Sequence, residues 1–570
     1  MNDSAQASRT PVSSRLRRFA DQKKMFAEKP SRIDLLGVDG AKDSSSKLVV
    51  NVWRNHAFET IGTLVAPYLA LRDLQVEFNI GGYDDSFSFV GNRAANIELI
   101  WIDCRRLTQR LGFAGWLLWL KDRLRALRAL SDAPIVVATW VDDAETLHQM
   151  QSMLDAMSSV HFADIHAFCQ SQKIQLIDER VATYAGTSIN NRAQVAIARE
   201  LGCHWLSALF FPPVKALALD LDNTLHSGVL GEDGPNGVVL TDGHLALQRY
   251  IKELRARGVF LSLVSRNELP DVEALFAQRK DYPLNLEDFS VVEVSWGEKA
   301  VALTQIAKVL RISADAILFV DDNMGELANV VGSLPDILAI HADEDAELTR
   351  RAIDYFPGVW RWNVEGDDLK RIDDMRANSE RTVLAQGSDS SADYFRSLQV
   401  NLVLRLNPRE QVRRLADLCG KTNQFNLSLR RMNEAQLVGS MRKPDHDVVS
   451  VQITDRLGDS GVIAVVVGKR NGACLMILEL CVSCRAMGRQ LEDAIVLTAL
   501  SKMPNIEFCD TISFDLRNGP RNQPARRWLG SLMGADDDLP DGEYLIPSAV
   551  ATSYRHPAGL TVISGGVEEL

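Results

Sequence analysis

Short apolar runs alternate along this chain with longer stretches whose apolar positions recur every three or four residues. The first pattern reads as buried strand and the second as amphipathic helix. LVVNVW, ANIELIWID, APIVVATW and IQLIDE are strand-like and are separated by helical stretches such as AFETIGTLVAPYLALRDL. VKALAL, VFLSLV and AILFV follow further along. Such alternation predicts parallel sheets covered by helices on both faces, a multidomain α/β fold class. Later, ACLMILELCVSC runs directly into RAMGRQLEDAIVLTALSKM, a strand leading into a helix.

The boundaries follow from the same pattern. A polar and basic stretch over 1–45 reads as a loosely held tail or a peripheral helix. A first α/β domain covers 46–210 and a second 211–385. Gln386-Gly-Ser-Asp-Ser-Ser-Ala392 reads as a linker, a third domain spans 393–550, and 551–570 is a C-terminal tail.

Composition narrows the function classes. The 570 residues, 46% hydrophobic and 24% charged, suit several globular cores. A net charge of −12 argues against general binding to nucleic acid or anionic membranes. Eight cysteines without regular pairing suggest a reducing compartment. MNDSAQASRTPVSSRLRR lacks the apolar core of a secretory signal, and no apolar run approaches bilayer length. A cytoplasmic location is expected.

The chemistry lies in four places: Asp220-Leu-Asp222-Asn-Thr224, Ser265, Lys299 and Asp321-Asp322. Three of them follow a predicted strand, and polar side chains at the carboxyl ends of parallel strands converge on one crevice. Asp220 suits a nucleophile toward phosphorus. Asp222 suits an acid that protonates the leaving oxygen and then a base toward water. Thr224 would hold the loop between them and, with Ser265 and Lys299, bind the phosphoryl group. Asp220, the backbone carbonyl of Asp222, Asp321 and Asp322 offer hard oxygen ligands for Mg²⁺. A lone Asp-x-Asp-x-Thr is ordinary turn chemistry; the ordered company it keeps makes it a phosphotransfer site.

These motifs resemble the haloacid dehalogenase (HAD) superfamily. With Gly228-Val-Leu-Gly231-Glu-Asp-Gly234, Ser265-Arg-Asn267, Trp296-Gly-Glu-Lys299 and Val320-Asp-Asp-Asn323, they look like the FkbH-like branch, subfamily IIIC. Lys421-Thr-Asn-Gln-Phe-Asn426, Asp455-Arg-Leu-Gly458-Asp-Ser-Gly461 and Ser483-Cys-Arg-Ala-Met-Gly-Arg489 match the same family, so the resemblance runs from about Lys47 to about Gly534. It implies an SGNH-hydrolase-like first domain, a HAD (Rossmann-like) second domain without a cap, and a GNAT-like α+β third domain. No serine follows the first strand, where Trp53-Arg-Asn-His56 stands, so the first domain reads as scaffold and His56 as a packed histidine.

In the third domain, Arg485, Gly488 and Arg489 stand where GNAT enzymes place the turn that cradles the pyrophosphate of coenzyme A, or here the phosphopantetheine arm of a carrier protein. Gln490 replaces the final small residue of that turn. Asn423, Gln424 and Asn426 are candidates for contacting an acyl unit, or for closing their own loop. Cys484 is the candidate acyl nucleophile, favoured as thiolate by a helix start and nearby arginines; packing is its other use, and Cys481 is the fallback. Cys481-x-x-Cys484 as half a zinc site or a redox pair lacks a second suitable pair nearby. Arginines at 413, 414, 430, 431, 521, 526 and 527 are candidates for docking an acidic carrier protein.

The resemblance implies a reaction. An acyl phosphate, in the family 1,3-bisphosphoglycerate, is dephosphorylated while its acyl group is captured as a thioester and passed to an acyl carrier protein for polyketide or related biosynthesis. His226-Ser227 stands where Trp-Gly is usual, Met324 and Leu327 replace Pro and Arg, and Arg266 replaces Lys, which leaves another phosphorylated hydroxy acid open as donor. The alternatives are a stand-alone phosphatase of a small metabolite and a non-enzymatic carrier-protein scaffold.

Overall fold

The computed structural model describes residues 12–38, 46–363, 366–388, 390–519, 521–535 and 539–565. The extreme ends of both expected tails, most of AKDSSSK and Asp389 of the expected linker lie outside these residues. The chain forms two compact units, Met1–Asn363 and Val364–Leu570.

The first unit carries two all-parallel sheets. One contains β1 (Ser46–Arg54), β2 (Leu74–Tyr83), β3 (Ile97–Trp101), β4 (Ile135–Thr139) and β5 (Val160–Asp164), in the order β2-β1-β3-β4-β5. The other contains β6 (Ala216–Leu219), β7 (Phe260–Ser265), β8 (Val291–Val294), β9 (Ile317–Asp321) and β10 (Leu338–His341), in the order β10-β9-β6-β7-β8. Strands β3, β4, β6, β7 and β9 are buried along their whole length, as strands covered on both faces must be.

IQLIDE is not a strand. Only Ile177 in it makes a β-bridge, to Ile189, and the fifth strand of the first sheet is β5. Two helices, Val12–Met25 and Arg32–Leu36, fall in the expected tail. They are held closely: Phe19, Met25 and Leu35 are buried, His341 N donates to Gln22 Oε1, and Arg351 Nε donates to Phe26 O.

The second unit is α+β. Its sheet contains β11 (Asn401–Leu406), β12 (His446–Asp455), β13 (Gly458–Asn471), β14 (Cys474–Val482), β15 (Thr511–Leu516), β16 (Gly542–Pro547) and β17 (Thr561–Ser564), in the order β16-β15-β14-β13-β12-β11-β17. Two expected boundaries are corrected here. Helix Gly366–Gln386 belongs to this unit rather than to the second domain, because its Arg381 is buried against Asp455 of β12. Residues 561–564 pair in parallel with β11, so the expected C-terminal tail contributes a strand. Among the described residues no helix is long and apolar enough to cross a membrane.

Candidate active site

Asp220 is the first residue beyond β6, and Asp321 ends the neighbouring β9. Parallel pairing of these strands sets the two carboxylates side by side. Lys299, at the start of helix Lys299–Leu310, reaches between them: Nζ lies 2.9 Å from Asp220 Oδ1 and 2.6 Å from Asp321 Oδ2. All three side chains are buried. Asp322 completes the group, with carboxylate oxygens of Asp220, Asp321 and Asp322 within 4.8 Å of one another.

One ammonium among three carboxylates leaves an excess of negative charge in a poorly solvated place. Burial raises the Asp220 carboxyl and the adjoining Asp321 adds to the rise, outweighing Lys299. Burial and Asp321 likewise raise Asp322. For Lys299, burial works to lower the ammonium, but Asp220 and Asp321 win and raise it. Three hard oxygens with unbalanced charge fit a dication such as Mg²⁺.

Asp222 is held apart from this group by its own donors. Oδ1 accepts from Leu230 N (2.9 Å) and faces His226 Nε2 (3.2 Å), while Oδ2 accepts from Asn267 Nδ2 (2.8 Å). Burial works to raise its carboxyl, yet these hydrogen bonds outweigh burial and hold it below the ordinary carboxylate range. The same Asn267 amide donates to Ser265 Oγ at 3.0 Å, so Ser265 at the end of β7 is tied to Asp222. Thr224 Oγ1 is buried without a partner in the turn after β6. An unsatisfied hydroxyl there suits a polar ligand.

The flap after Thr224 closes on itself through the Ser227–Val239 bridge. Gly228 takes φ 103°, and a Cβ there would stand 2.7 Å from the Asp233 carboxylate that accepts from Val229 N. Glycine is required at that position. Between Ser265 and Lys299 lie only helix Leu269–Gln278, a turn of 3₁₀ helix and β8, so no folded lid is inserted.

The structure thus gathers Asp220, Asp222, Thr224, Ser265, Lys299, Asp321 and Asp322 at the carboxyl ends of neighbouring strands. It also adds residues the sequence pattern gave no role: His226, Asn267, Tyr282 and His341. Tyr282 OH lies 3.0 Å from His226 Nδ1, and His341 Nε2 lies 2.9 Å from the Asp322 carbonyl oxygen. The i, i+4 spacing of Asp222 and His226 was the available signal; Tyr282 and His341 are distant in sequence and gave none.

In the first domain, His56 is buried, with Nδ1 3.0 Å from Thr187 Oγ1 and its ring stacked on Trp101. Burial, reinforced by Arg106 and Arg105, lowers its pKa to about 3 and keeps it neutral.

The third-domain candidates require correction. The helix after β14 begins at Glu492 rather than directly after the strand, because Ser483–Gln490 forms turns with Gly488 at φ 71° and Gln490 at φ 57°. Gly488 N donates to Glu492 Oε1 (2.9 Å), so it is not a waiting phosphate donor. Arg489 is no pantetheine contact either: it is buried among Asp374, Asn378, Ser460 and Asp455. Asn426 is fully buried, donating from Nδ2 to Cys481 Sγ (3.1 Å) and accepting from Leu429 N. Its segment lies where β14 and β15 part, with Val482 N donating to Phe425 O and Arg517 N to Leu427 O. Asn426 therefore closes its loop and does not face a substrate.

Cys484, Arg485, Asn423 and Gln424 are half-buried, and Asn423 Oδ1 accepts from Arg431 Nη2. Of the arginines considered for docking, Arg414 is turned inward onto Val462 O and Arg526 binds Leu539 O.

No protein-family model and no curated protein matches the chain. Among solved structures it is similar to the N-terminal part of the protein BF1531 from Bacteroides fragilis, which contains a phosphatase domain and was crystallised with Mg. Identity is 18% over 59% of this chain and 99% of that one, with a TM-score of 0.44. A second is a GCN5-related glucosamine N-acetyltransferase region of a fungal multidomain GH3 β-N-acetylglucosaminidase. It is 10% identical over 92% of this chain and 67% of that one, with a TM-score of 0.15.

Proposed function

We propose that this protein is a Mg²⁺-dependent HAD-type phosphatase that acts on a phosphorylated acyl donor and loads the acyl unit onto an acyl carrier protein. One observation carries the phosphatase reading: Lys299 bridges Asp220 and Asp321 while a separate set of donors fixes Asp222. Nucleophile, counter-charge and proton carrier are thereby distinct groups in one crevice.

Asp220 would attack phosphorus through a carboxylate oxygen, forming an aspartyl phosphate as the P–O bond to the leaving group breaks. Lys299, Ser265 and Thr224 would hold the phosphoryl oxygens. Asp222 would pass a proton to the leaving oxygen and then take one from the water that hydrolyses the aspartyl phosphate. The hydrogen bonds that hold Asp222 ionised favour the second of these roles in the free site. Asp220, Asp321, Asp322 and the Asp222 carbonyl would hold Mg²⁺, which offsets phosphate charge so that one anion can approach another.

For a donor such as 1,3-bisphosphoglycerate the two phosphates have separate fates. The Cys484 thiolate would attack the acyl carbon and expel phosphate, leaving a thioester. The remaining phosphate ester would be hydrolysed at Asp220, and the acyl group would pass to the phosphopantetheine thiol. The motif resemblance and the partial exposure of Cys484 support this coupling. GNAT-like and SGNH-like origins for the third and first domains belong to the same reading.

Occupation of Gly488, Arg489 and Asn426 within their own domain favours a second reading, a stand-alone phosphatase. Phosphate release and intact mass, followed with Mg²⁺, 1,3-bisphosphoglycerate and a holo carrier protein, separate the readings. Transfer requires an acyl-loaded carrier. The stand-alone phosphatase releases phosphate without a carrier and without Cys481 and Cys484. A scaffold is indifferent to Asp220→Asn.

A further inference from the structure

Glu479 and Cys481 are two positions apart on β14, so their side chains leave the sheet on the same face. Helix Val412–Lys421 packs on that face and brings Cys419 to it. All three residues are buried, in a layer otherwise built from Val412, Leu415, Leu418, Val465 and Val467. Their ligand-capable atoms, two sulfurs and a carboxylate oxygen, lie within 4.8 Å of one another. A carboxylate and two thiols in an apolar layer are costly unless something compensates them.

The donors that reach this group are neutral. Met432 N gives Glu479 Oε2 a hydrogen bond at 3.1 Å, Ser428 Oγ reaches Oε1 at 3.3 Å, and Cys481 Sγ lies 3.4 Å from Oε1. Asn426 Nδ2 donates to Cys481 Sγ at 3.1 Å. An N–H aimed at sulfur is the kind of outer contact that orients and stabilises a metal-bound thiolate. Zinc bonds of about 2.3 Å to sulfur and about 2.0–2.2 Å to oxygen join atoms that start this close after small side-chain shifts.

We propose that Cys419, Cys481 and Glu479 form a second metal site, for a thiophilic dication of the zinc class, separate from the aspartate centre of the phosphatase. Two soft sulfurs and one oxygen select against Mg²⁺. Binding deprotonates both thiols and releases two protons to solvent, leaving a charge of −1 on the site with three anionic ligands around a +2 ion. The site clamps helix Val412–Lys421 onto β14, and it removes Cys481 from the candidates for carrying an acyl group.

The test is a Co²⁺ titration of the full-length, chelator-treated and reduced protein in excess Mg²⁺, which keeps the aspartate centre filled. A thiolate-to-cobalt charge-transfer band that saturates at one equivalent, and that Zn²⁺ abolishes, is expected. It should be lost in Cys419→Ala and Cys481→Ala and kept in Asp322→Asn. In case the cysteine variants fail to fold, alkylation of the native protein gives the second readout: Zn²⁺ should protect Cys419 and Cys481 at least ten-fold while leaving Cys484 unprotected. No charge-transfer band, a band indifferent to both cysteines, no zinc protection, or a Cys419–Cys481 disulfide in the protein as isolated overturns the proposal.

Discussion

His226 stands with Nε2 3.2 Å from Asp222 Oδ1, and Tyr282 OH lies 3.0 Å from its other ring nitrogen. An ionised carboxylate only accepts hydrogen bonds, so His226 Nε2 carries the proton in this contact. This chain of contacts, with Leu230 N and Asn267, holds Asp222 as a carboxylate in the free site.

Removing the imidazole therefore acts on the acid side of the pH profile. A depressed carboxyl loses its ionised form only as pH falls through its lowered value, so losing a stabilising donor moves that point upward. For His226→Phe, the acid limb of phosphoenzyme hydrolysis should shift up by about one pH unit, the size of one lost hydrogen bond to a charged group. Rapid-quench measurement of the hydrolysis step across pH checks this; an unmoved limb removes His226 from the control of Asp222.

Lys299→Met leaves Asp220 and Asp321 buried without their shared cation. Loss of a buried electrostatic stabiliser of this kind costs about 10²–10³ in rate. Steady-state phosphate release should fall by that factor. Thermal melting of the variant checks that the loss is chemical and not a loss of fold.

Arg381 is buried between Asp374 and Asp455, and Arg489 shares both partners. Breaking a buried pair from one side leaves an uncompensated charge, which costs about 3–5 kcal/mol. Urea unfolding of Arg381→Met, followed by the fluorescence of the second unit, should show a loss of that order. Arg489→Met should be destabilising for the same reason, so any loss of acyl transfer in that variant reads as instability.

Cys484→Ala should abolish the acyl adduct seen by intact mass after incubation with 1,3-bisphosphoglycerate, while phosphate release at Asp220 persists. A retained adduct removes Cys484 from the proposed mechanism.

The grouping of the aspartate centre was legible in the sequence because its strands are short, apolar and bounded by its polar residues: AILFV leads straight into Asp321, and VFLSLV into Ser265. The surroundings of Asp222 were harder to read because Asn267 reaches its carboxylate, and Tyr282 reaches His226, only through the fold. In the third domain the strand was visible but the helix start was not, since Gly488 and Gln490 adopt left-handed backbone and delay the helix to Glu492. Apolar periodicity does not register such turns. Arg489 looked like a ligand contact because its partners lie on helix Gly366–Gln386 and at the β12–β13 turn, contacts that no local pattern reports.

The aspartate centre is tested most directly by fluoroberyllate, which mimics a phosphoryl group on a carboxylate. A crystal structure of the Mg²⁺–fluoroberyllate complex should show beryllium bonded to a carboxylate oxygen of Asp220, fluorine atoms against Lys299 and Ser265, and Mg²⁺ against Asp322. Beryllium bound elsewhere, or no complex under conditions where Mg²⁺ is bound, would contradict aspartyl phosphotransfer at this site.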